Sequence, residues 1–112
     1  MEPYTGKTLS WSQTAETIEL RLHREPCNEI GSATLGELEL FGESLDRTGL
    51  SARALIVYSG QPQGFCAGAD LRELYLGMLE LETTARQNRV RDFLLGIHRV
   101  FNQIDAAPLQ PH

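Results

Sequence analysis

The stretch "ALIVYSGQPQGFCAGADLREL", residues 54–74, decides how this chain is read. It begins with the apolar run Leu55, Ile56, Val57 and Tyr58, closed by Gly60. That pattern suits a strand covered on both faces, as in a parallel sheet. Farther on, Asp70 stands where a helix takes its N-cap, and Glu73 follows three positions later as the partner of a capping box. Between strand and helix lies the turn "GFCAGA". Such a junction presents unpaired backbone N–H groups, and the aligned peptide dipoles at a helix start favour negative charge. The small residues Cys66, Ala67, Gly68 and Ala69 let a ligand approach the main chain itself. An oxyanion or phosphate fits there. The spacing alone leaves a second reading open, a tight strand-to-helix connection with no ligand. The lysine and hydroxyl residue of a phosphate-binding P-loop are missing, and so is the G-x-G-x-x-G spacing of a dinucleotide site.

Upstream, Ile18, Leu20 and Leu22 alternate with Thr17, Glu19, Arg21 and His23, the period of a strand with one buried face. "LSWSQ" joined by "TAE" supplies an antiparallel partner, and "REPCN" carries the proline and asparagine that end strands. Thr34 with Glu37 forms a second capping-box pattern, after which Leu35, Leu38, Phe41 and Leu45 recur on one helical face. Gly36 and Gly42 weaken that helix, and Gly49 closes the loop after it. Downstream, Val90, Phe93, Leu94, Ile97, Phe101 and Ile104 mark a long amphipathic helix whose arginines, Arg86, Arg89, Arg91 and Arg99, lie mostly off the stripe. His98 beside that stripe reads as a partly buried histidine.

A chain of 112 residues, 41% hydrophobic and 22% charged, forms one small soluble domain. No segment is long and apolar enough to span a bilayer, and no secretory signal is visible, so a cytoplasmic location is the default expectation. The formal net charge of −5, with scattered basic residues, argues against nucleic acid as a partner. Cys27 and Cys66 lack companions at metal-ligand spacing and read as small apolar residues; no metal site is expected. His23, His98 and His112 form no triad or metal spacing.

The segment 54–74 resembles the signature of the crotonase, or enoyl-CoA hydratase/isomerase, superfamily. The likeness extends to "IELRLHREPCNEIGSATLGELE", which is similar to that family's N-terminal strand, proline and asparagine loop and following helix, and to "FNQIDAAP" before its next central strand. It covers roughly Trp11 to Pro108. The resemblance implies an α/β fold of the ClpP/crotonase type built from ββα units, here as its N-terminal part only, in one partial domain over residues 1–112. It implies an acyl-CoA thioester as substrate, in the setting of fatty acid metabolism, with coenzyme A as part of the substrate and no separate cofactor. It also implies an oxyanion hole of two backbone N–H groups that stabilise the enolate or tetrahedral anion.

Carried over by position, the first donor is the N–H of Ala69, the carbonyl of Ala67 meets the CoA adenine, and Gly68 permits the bend between them. Asp70 and Arg72 complete the substrate-binding set. Asp70 reads first as the N-cap, and Arg72 as a contact to CoA phosphates or a solvated surface charge. Phe65 packs under the turn. The basic residue that some members carry in the loop around Pro26 is missing. The second donor and the catalytic glutamates fall in the family's later segment, beyond "IDAAP". The chain is therefore expected to be an incomplete hydratase/isomerase, inactive unless another polypeptide or a C-terminal half completes the site. Whether such a chain counts as an enzyme stays open. The alternative is a non-catalytic crotonase-like CoA-binding or assembly module. Crotonase-type proteins commonly form trimers and pairs of trimers, but much of that contact is made by C-terminal helices not present here, so a homo-oligomer is one option and the oligomeric state stays open.

Overall fold

A computed structural model describes residues 1–48 and 51–110; Gly49, named above as the loop closer, and His112 lie outside the described residues. The elements run β1 (Tyr4–Thr5), β2 (Leu9–Thr14), β3 (Thr17–Leu22), α1 (Ser32–Thr48), β4 (Ala54–Ser59), α2 (Leu71–Leu76) and α3 (Thr83–Asp105). The strands form one sheet in sequence order: β1–β2 and β2–β3 antiparallel, β3–β4 parallel. The hairpin, the helix between β3 and β4, and the parallel β4 are where the sequence patterns put them. Strand β1 is too short for any periodicity to reveal.

Register puts Leu9 opposite Leu22 and Trp11 opposite Leu20, and aligns Ile18 with Leu55 and Leu20 with Val57. Because side chains alternate along a strand, these residues share one face of the sheet. Helix α1 lies on it with Leu38, Phe41 and Leu45, closing a core in which Phe41, Leu9, Ile18, Leu20 and Leu45 are fully buried. Each such side chain contributes roughly 1.5–3 kcal/mol by leaving water.

Two expectations are corrected. Strand β4 is covered on one face only. Its residues Ile56 and Tyr58, aligned with Glu19 and Arg21, remain 47% and 39% exposed, because α1 covers the opposite face of the sheet. The apolar run marks burial on the α1 side, not on both sides.

Helix α1 is not started by a Thr34–Glu37 capping box. It begins at Ser32, and the buried Glu37 carboxylate instead accepts hydrogen bonds from the Thr8 N–H at 2.8 Å, the Thr8 hydroxyl at 2.6 Å and the Tyr4 hydroxyl. Burial disfavours the Glu37 charge and is the largest single influence. The bonds from Thr8, Tyr4 and the Lys7 backbone together outweigh it and hold the carboxyl below its ordinary value. The Tyr4 phenol is pushed up by the same bond. Glu37 thus ties α1 to the entrance of the hairpin.

Candidate functional site

The turn after β4 is fixed from beneath by the loop after β3. The Ala67 N–H donates to the Cys27 carbonyl at 2.9 Å, the Ile30 N–H to the Gly68 carbonyl at 2.8 Å, and the Asp70 N–H to the Ile30 carbonyl at 2.8 Å. The last two bonds flank Ala69 and make it the parallel bridge partner of Ile30. In a parallel ladder a residue flanked in this way turns its own N–H and C=O to the other side. The Ala69 amide therefore faces away from the loop that holds its neighbours. Among the described residues it donates to no acceptor.

Gly68 takes φ +87, a conformation that a β-carbon disfavours, while a β-carbon there would meet open space. The backbone bend, rather than crowding, requires the glycine. Ala67 is exposed and Ala69 half-buried.

Asp70 caps α2, its Oδ1 accepting from the Glu73 N–H at 3.0 Å. Its Oδ2 accepts from Arg24 Nη2 at 2.6 Å, while Arg24 Nη1 donates to the Glu29 carbonyl at 2.7 Å. The Glu73 backbone bond and then the Arg24 guanidinium hold the Asp70 carboxyl below its ordinary value. With both oxygens engaged and the side chain buried, Asp70 is a strut of the turn.

The reciprocal half of the capping box is absent. Since the Asp70 N–H is spent on Ile30, the Glu73 carboxylate reaches instead to the start of α1, accepting from the Ser32 N–H at 2.8 Å and the Ser32 hydroxyl. One side chain thereby caps a helix remote in sequence.

Arg72 is exposed, and its side chain has no hydrogen-bond or salt-bridge partner among the described residues. Phe65 does not pack under the turn: its side chain is 56% exposed, and its carbonyl accepts from Asn28 Nδ2 at 2.9 Å. Asn28 fills the place expected for Phe65, since it is buried and also donates to Ser59 Oγ at 2.8 Å. His98 is exposed, contrary to its expected partial burial, because α3 turns only Gly96, Ile97 and Val100 fully inward. Among the described residues no His, Cys, Asp and Glu group is arranged to hold a metal ion, and no helix is long and apolar enough to cross a membrane.

The sequence reading brought together Ala67, Gly68, Ala69 and Asp70 but missed Arg24 and Asn28. Both sit in "HREPCN", which pattern reading treats only as a strand terminator. An arginine ahead of a proline turn and an asparagine in the same loop give no hint that their partners lie far downstream.

No family model matches this sequence. The chain is 35% identical over 99 residues to an enoyl-CoA isomerase/hydratase of Zymoseptoria tritici, an alignment covering 86% of this chain and 30% of that protein. The fold matches an enoyl-CoA hydratase/isomerase from Marinobacter aquaeolei with a TM-score of 0.76 at 16% identity, over 91% of this chain and 38% of the other. It matches an enoyl-CoA hydratase from Bacillus anthracis with a TM-score of 0.70 at 22% identity, over 92% and 37%. The chain thus spans about a third of the length of the relatives it matches. The chain has the crotonase fold, and its sequence is similar to part of an enoyl-CoA isomerase/hydratase.

Proposed function

We propose that this chain supplies one half of an oxyanion hole for an acyl-CoA thioester, with the Ala69 N–H as the donor. The observation that carries this reading is the Ala69 amide, flanked by two satisfied backbone bonds yet itself without an acceptor among the described residues. A fixed N–H is effective because it is already oriented when negative charge develops on the thioester oxygen, and losing one such donor typically costs about 10²- to 10³-fold in rate.

The support comes from the backbone, since α2 has only six residues and its N-terminus is already occupied by the Asp70 carboxylate. Gly68 sets the direction of the amide, and the exposed Ala67 carbonyl is open to an adenine amino group. Arg72 is exposed and, in this reading, is the cation that meets CoA phosphates. The hydratase or isomerase chemistry needs a second donor and a carboxylate that removes or delivers the proton. In our reading these come from the portion of the relatives that this chain does not span.

The test is infrared difference spectroscopy of acetyl-CoA labelled at the thioester carbonyl, titrated with the chain. Hydrogen bonding to Ala69 lowers the carbonyl stretching frequency. Ala69→Pro deletes that one N–H without removing an internal bond and is expected to abolish the shift. Absence of binding at millimolar acetyl-CoA, or an equal shift with Ala69→Pro, contradicts the reading.

A further inference from the structure

Cys27 and Cys66, read above as small apolar residues, are free, half-buried thiols that border one cleft of about 120 Å³ together with Gln63, Gly64, Phe65 and Ala67. The Ala67 N–H bonds to the Cys27 carbonyl at 2.9 Å. With standard backbone dimensions on each side of that bond, the two cysteine Cα atoms lie within about 8 Å of each other. Disulfides close at Cα separations up to about 7 Å when the two Cβ vectors converge, and both cysteines line the same cleft. The segment that must move is exposed at Gly64 and Phe65, and Gly64, at φ +144, has open space around it.

We infer that Cys27 and Cys66 form a thiol–disulfide pair, a modification site in the two loops that hold the Ala69 turn, oxidised by small disulfides of the glutathione type. One cysteine thiolate attacks the small disulfide, forming a mixed disulfide and releasing one thiolate. The second cysteine thiolate then attacks the protein sulfur of the mixed disulfide and expels the other thiolate. The two protein thiols together lose two electrons and two protons, which appear in two molecules of reduced glutathione.

The bridge has a local consequence. The Cys66 thiol donates to the Asn28 carbonyl at 3.1 Å and accepts from the Gly68 N–H at 3.4 Å. Turning its sulfur toward Cys27 removes both contacts, and with them part of what fixes the glycine bend ahead of Ala69. That consequence for acyl-CoA rests on the function proposed above; formation of the bridge does not.

The full chain, reduced and then exposed to glutathione disulfide, is quenched with acid at intervals and analysed by mass spectrometry. The expected product is a monomer about 2 Da lighter than the reduced chain, with the Cys27 and Cys66 peptides linked, and its closure from the mixed disulfide is at least about tenfold faster in native buffer than in denaturant. Cys27→Ser is expected to stop at a mixed disulfide on Cys66. Closure no faster in the folded chain, oxidation that ends at mixed disulfides, or disulfide-linked dimers overturn the pair. Acetyl-CoA titration of the reduced chain separately decides the oxyanion reading, so either idea can fail without the other.

Discussion

Phe41 on α1 and Phe101 on α3 both belong to apolar helical stripes, yet Phe41 is fully buried and Phe101 is 48% exposed. The difference holds for the regions around them. Sheet and α1 bury Leu9, Trp11, Ile18, Leu20, Leu38 and Leu45 in one cluster. Helix α2 buries no residue, and α3 contributes Val100 to the cluster while Leu94 and Leu95 face outward. A hydrophobic stripe says which face of a helix seeks cover; it does not say how much of that cover the same residues provide.

This contrast can be broken most easily at its strongest point. Phe41→Ala is expected to destabilise the chain by about 3–5 kcal/mol, since the deleted ring leaves a cavity under the sheet. Leu95→Ala is expected to change stability by less than about 0.5 kcal/mol. Urea unfolding of the two variants checks the pair, and similar midpoints would mean that α3 is as well packed as α1.

A smaller effect is expected at the loop junction between the regions. Arg24→Ala leaves the buried Asp70 carboxylate without its cation and is expected to cost about 1–3 kcal/mol. The loss should be local, with faster amide exchange at Ile30, Asp70 and Glu73 and little change in β2 or β3.

The pH dependence sharpens the comparison further, because one lowered carboxyl lies in the first region and the other at its junction with the second. Glu37 and Asp70 have folded values below their ordinary ones of 4.5 and 3.8. Their contribution to stability is fully present above those ordinary values and disappears as pH falls through the lower, folded values. Denaturant midpoints measured from pH 7 downward should therefore hold until about pH 5 and then decline. Glu37→Gln should flatten that decline for the sheet and α1 while leaving the exchange of the Ile30 and Glu73 amides to follow Asp70.

Substitutions at two glycines are expected to have small effects of opposite sign. Gly68→Ala forces a β-carbon into φ +87 and is expected to cost about 1 kcal/mol. Gly36→Ala, on an exposed helical position with nothing around it, should gain up to about 1 kcal/mol by helix propensity. Thermal melts of both variants decide the signs.

Much of the first region was legible in the sequence because its signals are local. The alternation of Ile18, Leu20 and Leu22 and the stripe of Leu38, Phe41 and Leu45 repeat within a few residues. Asp70 as the α2 cap was legible for the same reason. Glu37 and Glu73 were read with local partners and proved to bridge distant segments, to Tyr4 and Thr8 in one case and Ser32 in the other. A capping-box spacing is compatible with such a bridge, and only the fold shows which donors are left over. The Arg24–Asp70 pair and Asn28 under the turn join loops that no periodicity connects. The position of Ala69 came from resemblance; the orientation of its amide came from the bonds of Gly68 and Asp70 to Ile30.

Hydrogen exchange at the single amide of Ala69, followed by nuclear magnetic resonance, bears most directly on the proposed site. In the free chain Ala69 should exchange quickly while Ile30 and Asp70 on either side of the bridge stay protected, and acetyl-CoA should slow Ala69 and move its proton downfield. An Ala69 amide that is already protected without ligand, or that is indifferent to saturating acetyl-CoA, would contradict its role as the oxyanion donor.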